Sequence, residues 1–397
     1  MIYKLNNVVQ NYAWGSTSSL SQLFGIDNPK KQPQAELWMG AHPSGCSTLE
    51  GLNLSLSDYI IRHGTHALGS YTDNRYGELP YLFKVLATQA PLSIQVHPNK
   101  RKSEIGYTRE NQRGIELTAG NRNYKDPNHK PELVYAITLY KAMNGFRPIE
   151  EIIALFKEIK IIALIDDVLK LEQVQNAKGL KTFFRTLLTL TGTKQEDALK
   201  QLSKYYEDTS ISDTGTKALR YSQSFAEHYP GDNGLLAPLF LNVIELQPGE
   251  AMFLHAETPH AYVQGTALEI MASSDNVLRA ALTPKHIDVE ELIANTRFES
   301  TPREKLLTTP LYVQGDHDHL HFPVPVDDFK FDVITALQEQ RIMFTRSAEI
   351  VFCIEGNIEV ATKVANIVLT AGESAFIPYD SHCYSVLGQG RLARAHN

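Results

Sequence analysis

The spacing of hydrophobic residues changes twice along this chain. From Met1 to about Phe146, Gly, Pro, Asn and Asp recur every few residues and leave short apolar runs between them, such as LPYLFKVLA (79–87) and LSIQVH (92–97). Runs of that length bounded by breakers predict strands. From Arg147 the apolar positions of IEEIIALFKEIKIIALIDDVLKL and KTFFRTLLTL fall three and four apart with Glu and Lys between them, which predicts helices. The same texture runs through EDALKQLSKYYE and TKALRYSQSFAEHY and stops at Pro230 in YPGDNG, a cluster suited to a loop. Short runs with tight turns then return, at Pro248-Gly249 and Gln264-Gly265 and again over 327–397. The pattern predicts a mainly β protein with an inserted α-helical domain at 147–229. A β domain formed by 1–146 and 230–315 flanks the insert, and a second β domain follows at 316–397. One internal echo suggests that a β unit is used twice: Gly249-Glu-Ala-Met-Phe-Leu running to His260 resembles Gly372-Glu-Ser-Ala-Phe-Ile-Pro running to His382.

At 397 residues and 43% hydrophobic content the chain can bury two or three cores. The formal net charge of −7 offers no footprint for a nucleic-acid backbone, so nucleic acid is excluded as a partner. An anionic ligand would be repelled at long range and would need a local cationic pocket. Three scattered cysteines, Cys46, Cys353 and Cys383, fit neither a disulfide framework nor a thiolate metal site, and they suit a reducing compartment. The N-terminal residues lack a signal-peptide pattern and no apolar run approaches a membrane span. The expectation is a cytoplasmic, monomeric protein with a small-molecule partner and no membrane association.

Three segments carry candidate chemistry. In PLSIQVHPNK, strand alternation puts Ser93, Gln95 and His97 on one face. In NHKPE, the proline favours extended backbone at Lys130, so Lys130 and Glu132 share a face beside His129. In TPHAY, His260 begins a strand and shares its face with Tyr262. Taken singly these are an edge-strand face, a solvated turn and a structural histidine. Taken together, Gln95, His97, Glu132 and His260 form a competent oxygen and nitrogen donor set for one borderline divalent metal. With Glu132 as the only anion among them, bound Zn²⁺ would keep a net charge near +1 and hence its Lewis acidity.

IQVHPNK, DPNHKPE, FLHAETPHAY and SSDNVLRAALTPK resemble the signature segments of the type I phosphomannose isomerase family. The likeness extends to YAWGS, AELWMGAHPSG, LPYLFKVL, GFRP and YPGDNG, and so covers most of the first 300 residues. It implies a bicupin architecture of two β jelly rolls, and zinc-dependent interconversion of an aldose and a ketose phosphate. It also implies Gln95, His97, Glu132 and His260 as the zinc ligands and Arg279 as a catalytic arginine. Lys130, His129 and Asp275 would line the reacting carbons, and Ser93, Lys84, Lys285 and Tyr262 would supply substrate and phosphate contacts. The last 70 residues keep His382 but show no second His and Glu cluster at ligand spacing, so one zinc per chain is expected. Two readings of other kinds share these features: a metal cupin catalysing a different reaction, and a non-catalytic sugar-phosphate sensor.

Overall fold

The computed structural model describes residues 1–397 and contains two large sheets, one of ten strands and one of eleven, with a block of helices attached to the first. The helices Ile149–Glu158, Ile165–Gln173, Ala177–Leu188, Gly192–Ser203 and Asp213–His228 occupy the segment whose periodicity predicted them. The long apolar stretch after Arg147 is not one helix, however, because Lys160 turns the chain with a φ of +49°. Ile152, Ile153, Leu155 and Phe156 bury the inner face of the first helix. They belong to a core of 37 buried residues that also contains Ile94, Val96 and Ala261, so the helical insert packs directly behind the strands that carry the candidate ligands.

Helices also occur where the sequence pattern indicated strands, at Leu56–His63, Ser70–Tyr76 and Lys100–Gln112. The last of these escapes an apolar-periodicity argument for a physical reason. Its buried residues are Ser103, Gly106 and Glu110, and Gly106 lies so close to the Tyr124 ring that a Cβ there would meet it at 2.3 Å. Close approach through a small residue, with Asn99 capping the N-terminus by accepting from the Lys102 N–H, replaces an apolar stripe.

The eleven-stranded sheet holds the C-terminal jelly roll, but it also recruits Tyr3–Asn6, which pairs with Ser374–Ile377 in the register Tyr3↔Phe376. The two jelly rolls share a core of 33 buried residues in which Phe83 meets Phe331 and Phe352 at ring-centroid distances of 6.0 and 6.4 Å. Each such buried ring contributes about 1.5–3 kcal/mol of transfer free energy. Within this core the Tyr81 phenol donates toward the Ala395 and Ala348 carbonyls at 2.9 and 3.2 Å.

One strand organises the site. His260–Ala272 pairs through Gly265–Ala272 with Tyr81–Thr88, and through 260–264 with Tyr140–Phe146. Its registers set His260 opposite Gln95, Glu269 opposite Lys84 and Met271 opposite Glu132. The strand serves both partners by bending at Gly265, where φ is +120° and an added Cβ would stand 2.4 Å from the Leu139 carbonyl oxygen. A side chain there must both adopt a left-handed backbone and displace a neighbouring strand. Gly265→Ala is therefore expected to destabilise the fold by about 3 kcal/mol or more, read as a lowered denaturation midpoint; an unchanged midpoint would contradict this account of the bend.

Candidate metal centre and active-site cavity

Glu132 begins the strand Glu132–Ala136 and its carboxylate is buried between two imidazoles. His97 Nε2 lies 3.4 Å from Glu132 Oε1 and His260 Nε2 lies 3.5 Å from Oε2, with the two rings 4.9 Å apart. The other ring nitrogens fix the tautomers. His97 Nδ1 is 2.7 Å from the Asn276 carbonyl and His260 Nδ1 is 2.9 Å from the Thr258 carbonyl, so each Nδ1 carries the proton and donates it. Each Nε2 is then a bare lone pair aimed at a carboxylate oxygen. His97 Nε2 has no hydrogen-bond partner although it is buried. Acceptors converging without a proton between them repel one another, and a cation at their centre removes the repulsion. Gln95, in register with His260 and lining the same cavity, adds a carboxamide. The donor set therefore fits a divalent metal with zinc's preferences.

Burial holds His97 down to about 4, against the raising influence of Glu132, so its imidazole is neutral and ready to ligate near pH 7. Glu132 is held well below the usual carboxylate range: burial pushes it up, but His97, Lys130 and His260 outweigh that.

The centre opens into a cavity of about 570 Å³ lined by Ser93, Gln95, Lys130, Glu132, His260, Tyr262, Asp275, Arg279 and Lys285, among others. Eleven of the twelve expected side chains line this cavity or, in the case of His97, flank it. His129 is the exception. Its ring turns away and sets Nε2 3.0 Å from Asp328 Oδ2, because successive side chains in the extended NHKP backbone point to opposite sides.

Two further expectations change in role. Lys84 is buried, with its ammonium 3.1 Å from Glu269 and 3.6 Å from Glu36. Burial would lower its pKa, yet Glu36, Glu269 and Glu132 override that and raise it, so Lys84 is a fixed cation committed to carboxylates rather than a free phosphate contact. Tyr262 reaches Glu132 Oε2 at 2.9 Å and Glu269 Oε1 at 2.7 Å, which makes it a support for a ligand carboxylate before it is a substrate contact. Lys130 Nζ lies 3.5 Å from Glu132 Oε1. Asp275 is drawn down to about 2, chiefly by the neighbouring His42 imidazole 3.4 Å away.

Another part of the cavity lining is cationic. Arg279 has no carboxylate partner and burial alone lowers its pKa. Lys285 is lowered by burial and by the charges of Arg279 and Lys125, so three cations crowd together, with the Asp275 carboxylate close enough to feel the charge of Lys125. This is the local pocket that the net charge of the chain requires of an anion binder.

Sequence reasoning missed Lys125, Glu269, Glu36 and the stacked pair Tyr12 and Trp14, which lines the cavity with ring centroids 6.0 Å apart. A signal for Glu269 was present: it is the single charged residue in the otherwise apolar and small stretch TALEIMA. In the C-terminal jelly roll His382 is exposed, whereas His319, His321 and His396 gather around Asp332 at 3.4, 2.7 and 3.1 Å. There Arg394 supplies the positive charge, 3.0 Å from Asp332 and also bound to Glu349.

Comparison with known proteins agrees with this geometry. Residues 2–149 match the description "Phosphomannose isomerase type I, catalytic domain" and residues 318–397 match "Mannose-6-phosphate isomerase, cupin domain". A mannose-6-phosphate isomerase of Salmonella typhimurium is 48% identical over 99% of both chains, and that of Homo sapiens is 34% identical over 95% of this chain and 93% of its own. The chain belongs to the type I phosphomannose isomerase family. A crystal structure of mannose 6-phosphate isomerase in a zinc-bound holo form superposes with a TM-score of 0.94 at 48% identity, covering 100% of this chain and 99% of that one.

His97→Ala and His260→Ala should each lose the metal, whereas His382→Ala should keep it, and metal analysis of the purified protein should return one tightly held ion per chain; two ions would overturn the assignment. Acid should also destabilise the metal-free fold. The unfolded chain takes up protons at His97 near its ordinary value of about 6.5, while folded His97 waits until about 4. Between those values the unfolded state binds more protons, so stability falls as pH drops. The depressed Glu132 acts in the same direction. Thermal melting of the metal-free protein at pH 5 should thus lie below that at pH 7; equal midpoints would mean that this pair is not buried as described.

Proposed function

We infer that this chain is a zinc-dependent isomerase interconverting D-mannose 6-phosphate and D-fructose 6-phosphate through a cis-enediol. The observation that carries this reading is the joining, in one cavity, of a cation-demanding acceptor cluster to three crowded cations. A sugar phosphate suits both, its phosphate on the cations and its C1 and C2 oxygens at the cluster. Bound zinc would be held by Gln95, His97, Glu132 and His260, and would supply Lewis acidity to the oxygens on C1 and C2.

The protein's own groups divide the remaining work. Arg279, Lys285 and Lys125 hold the phosphate dianion and, in the case of Arg279, the negative charge that grows on the enediol oxygens. Transfer of the C2 proton to C1 needs a base whose proton affinity lies near the working pH. Asp275, at about 2, is too weak for that and acts instead as an anionic acceptor for a sugar hydroxyl. Lys130, beside Glu132 in the cavity, is the side chain we assign to the reacting carbons: its ammonium donates to the negative charge that grows on the enediol oxygens. Ser93 and the aromatic pair Tyr12 and Trp14 line the remaining wall.

No helix is long and apolar enough to cross a membrane, and all three cysteines are free, which supports a reducing cytoplasm. A coupled assay on mannose 6-phosphate, with metal analysis of the same sample, tests the reading; a zinc-loaded protein without turnover would favour a sugar-phosphate sensor.

Arg279→Lys separates two roles. Lysine keeps the charge but loses the planar fork. If Arg279 acts on charge that develops only in the transition state, kcat should fall on the order of 10²-fold with zinc content unchanged. A raised KM with normal kcat would restrict Arg279 to phosphate binding.

A further inference from the structure

The segment 125–131, which presents Lys130 to the cavity, has neither helix nor strand. Its first half is tied to the catalytic jelly roll. Asp126 accepts from the Ser274 hydroxyl and the Asp275 N–H, Asn276 donates to the Asn128 carbonyl, and Asn128 donates to the Ser273 carbonyl. Beyond Asn128 those ties stop until the Pro131 carbonyl accepts from the Ala272 N–H. Between them stand His129 and Lys130, and the one side-chain hydrogen bond that fastens this stretch to another part of the molecule is His129 to Asp328 at 3.0 Å.

Asp328 belongs to the C-terminal jelly roll, in the connection between the strands Asp316–Phe322 and Lys330–Ala336. Its carboxylate is buried, and His129 is its ion partner. The connection is rigid for a visible reason: the next residue, Phe329, is fully buried in the core shared by the two jelly rolls, together with Phe322 and Phe331. A second cross-unit pair, Arg75 with Asp327 at 3.1 Å, sits beside it on the surface.

We propose that the C-terminal jelly roll serves catalysis by positioning: Asp328 holds His129, and His129 fixes the backbone from which Lys130 enters the cavity. The extended backbone before Pro131 makes the coupling direct, since His129 and Lys130 leave it on opposite sides. A bond at the back of the loop thereby sets the aim of the amine at the front. His129 is on this account a positioning residue. The proposal rests on the assignment of Lys130 to the reacting carbons.

Misplacement of a reacting group by about 1 Å can cost up to 10²-fold in rate. Asp328→Ala should lower kcat by roughly 10-fold or more within that range, with KM for mannose 6-phosphate and zinc content unchanged. Asp328→Asn should recover most of kcat, because its carboxamide oxygen can still accept from the imidazole. His129→Ala breaks the same bond from the other side, so it should show the same loss, and the double variant Asp328→Ala with His129→Ala should lose no more than either single variant. Arg75→Ala, which breaks only the neighbouring pair, should leave kcat at its normal value. Unchanged kcat in Asp328→Ala, additive losses in the double variant, loss of zinc from either single variant, or an equal loss in Arg75→Ala would each overturn the proposal. The unsubstituted protein in the same assay keeps the two questions apart: if it fails to turn over, the isomerase reading fails, and if it turns over while Asp328→Ala matches it, only the positioning role fails.

Discussion

Two imidazole lone pairs and a carboxylate point at one another across 3.4 and 3.5 Å with no proton between them. That arrangement is unfavourable by itself, and much of the surrounding structure exists to impose it. The carbonyls of Asn276 and Thr258 select the tautomers. Burial keeps His97 uncharged, and Lys130 keeps Glu132 ionised. A fold that holds repelling acceptors in place has already met the cost of organising a metal site, so binding of the ion relieves repulsion as well as forming bonds.

The charge balance around the centre follows from the same constraint. Glu36, Glu132 and Glu269 are buried with Lys84 and Lys130, which leaves one uncompensated negative charge in the shell. A dication reverses that to a single positive charge, enough to polarise a bound oxygen. Arg279, Lys285 and Lys125 add positive charge to the same cavity, and Arg279 has no carboxylate partner.

The candidate ligands were legible in the sequence because each sits in a short segment whose neighbours also constrain it: alternation placed Gln95 and His97, and a proline placed Lys130 and Glu132. The β, helical, β order was legible for a similar reason, since apolar spacing reports burial locally. What escaped is what depends on distant pairings. Lys84 reads as a cation available to phosphate until the register of His260–Ala272 sets Glu269 against it. His129 reads as a cavity residue until the second jelly roll brings Asp328 to its ring. The helix Lys100–Gln112 is invisible to an apolar pattern because it packs through Gly106. Asp332 and its three imidazoles come together from three strands, and His396 arrives from 64 residues further along the chain.

That last cluster bears on why two jelly rolls of related design serve different ends. The C-terminal barrel retains a buried carboxylate surrounded by histidines, as the catalytic barrel does, yet the positive charge at its centre is a guanidinium. Arg394 reaches both Asp332 and Glu349, and the Tyr384 phenol donates to Glu349 as well. A side-chain cation needs no supply from solution and does not exchange, so it gives the barrel interior a permanent counter-charge and hence a rigid body. Rigidity is what an anchor requires. Phe329 and Phe331 then carry that stiffness into the core shared with the catalytic barrel, where Phe83 and Tyr135 receive it on the strands that bear Lys84 and Glu132. One barrel thus spends its polar interior on an exchangeable ion and chemistry, the other on a fixed ion pair and geometry.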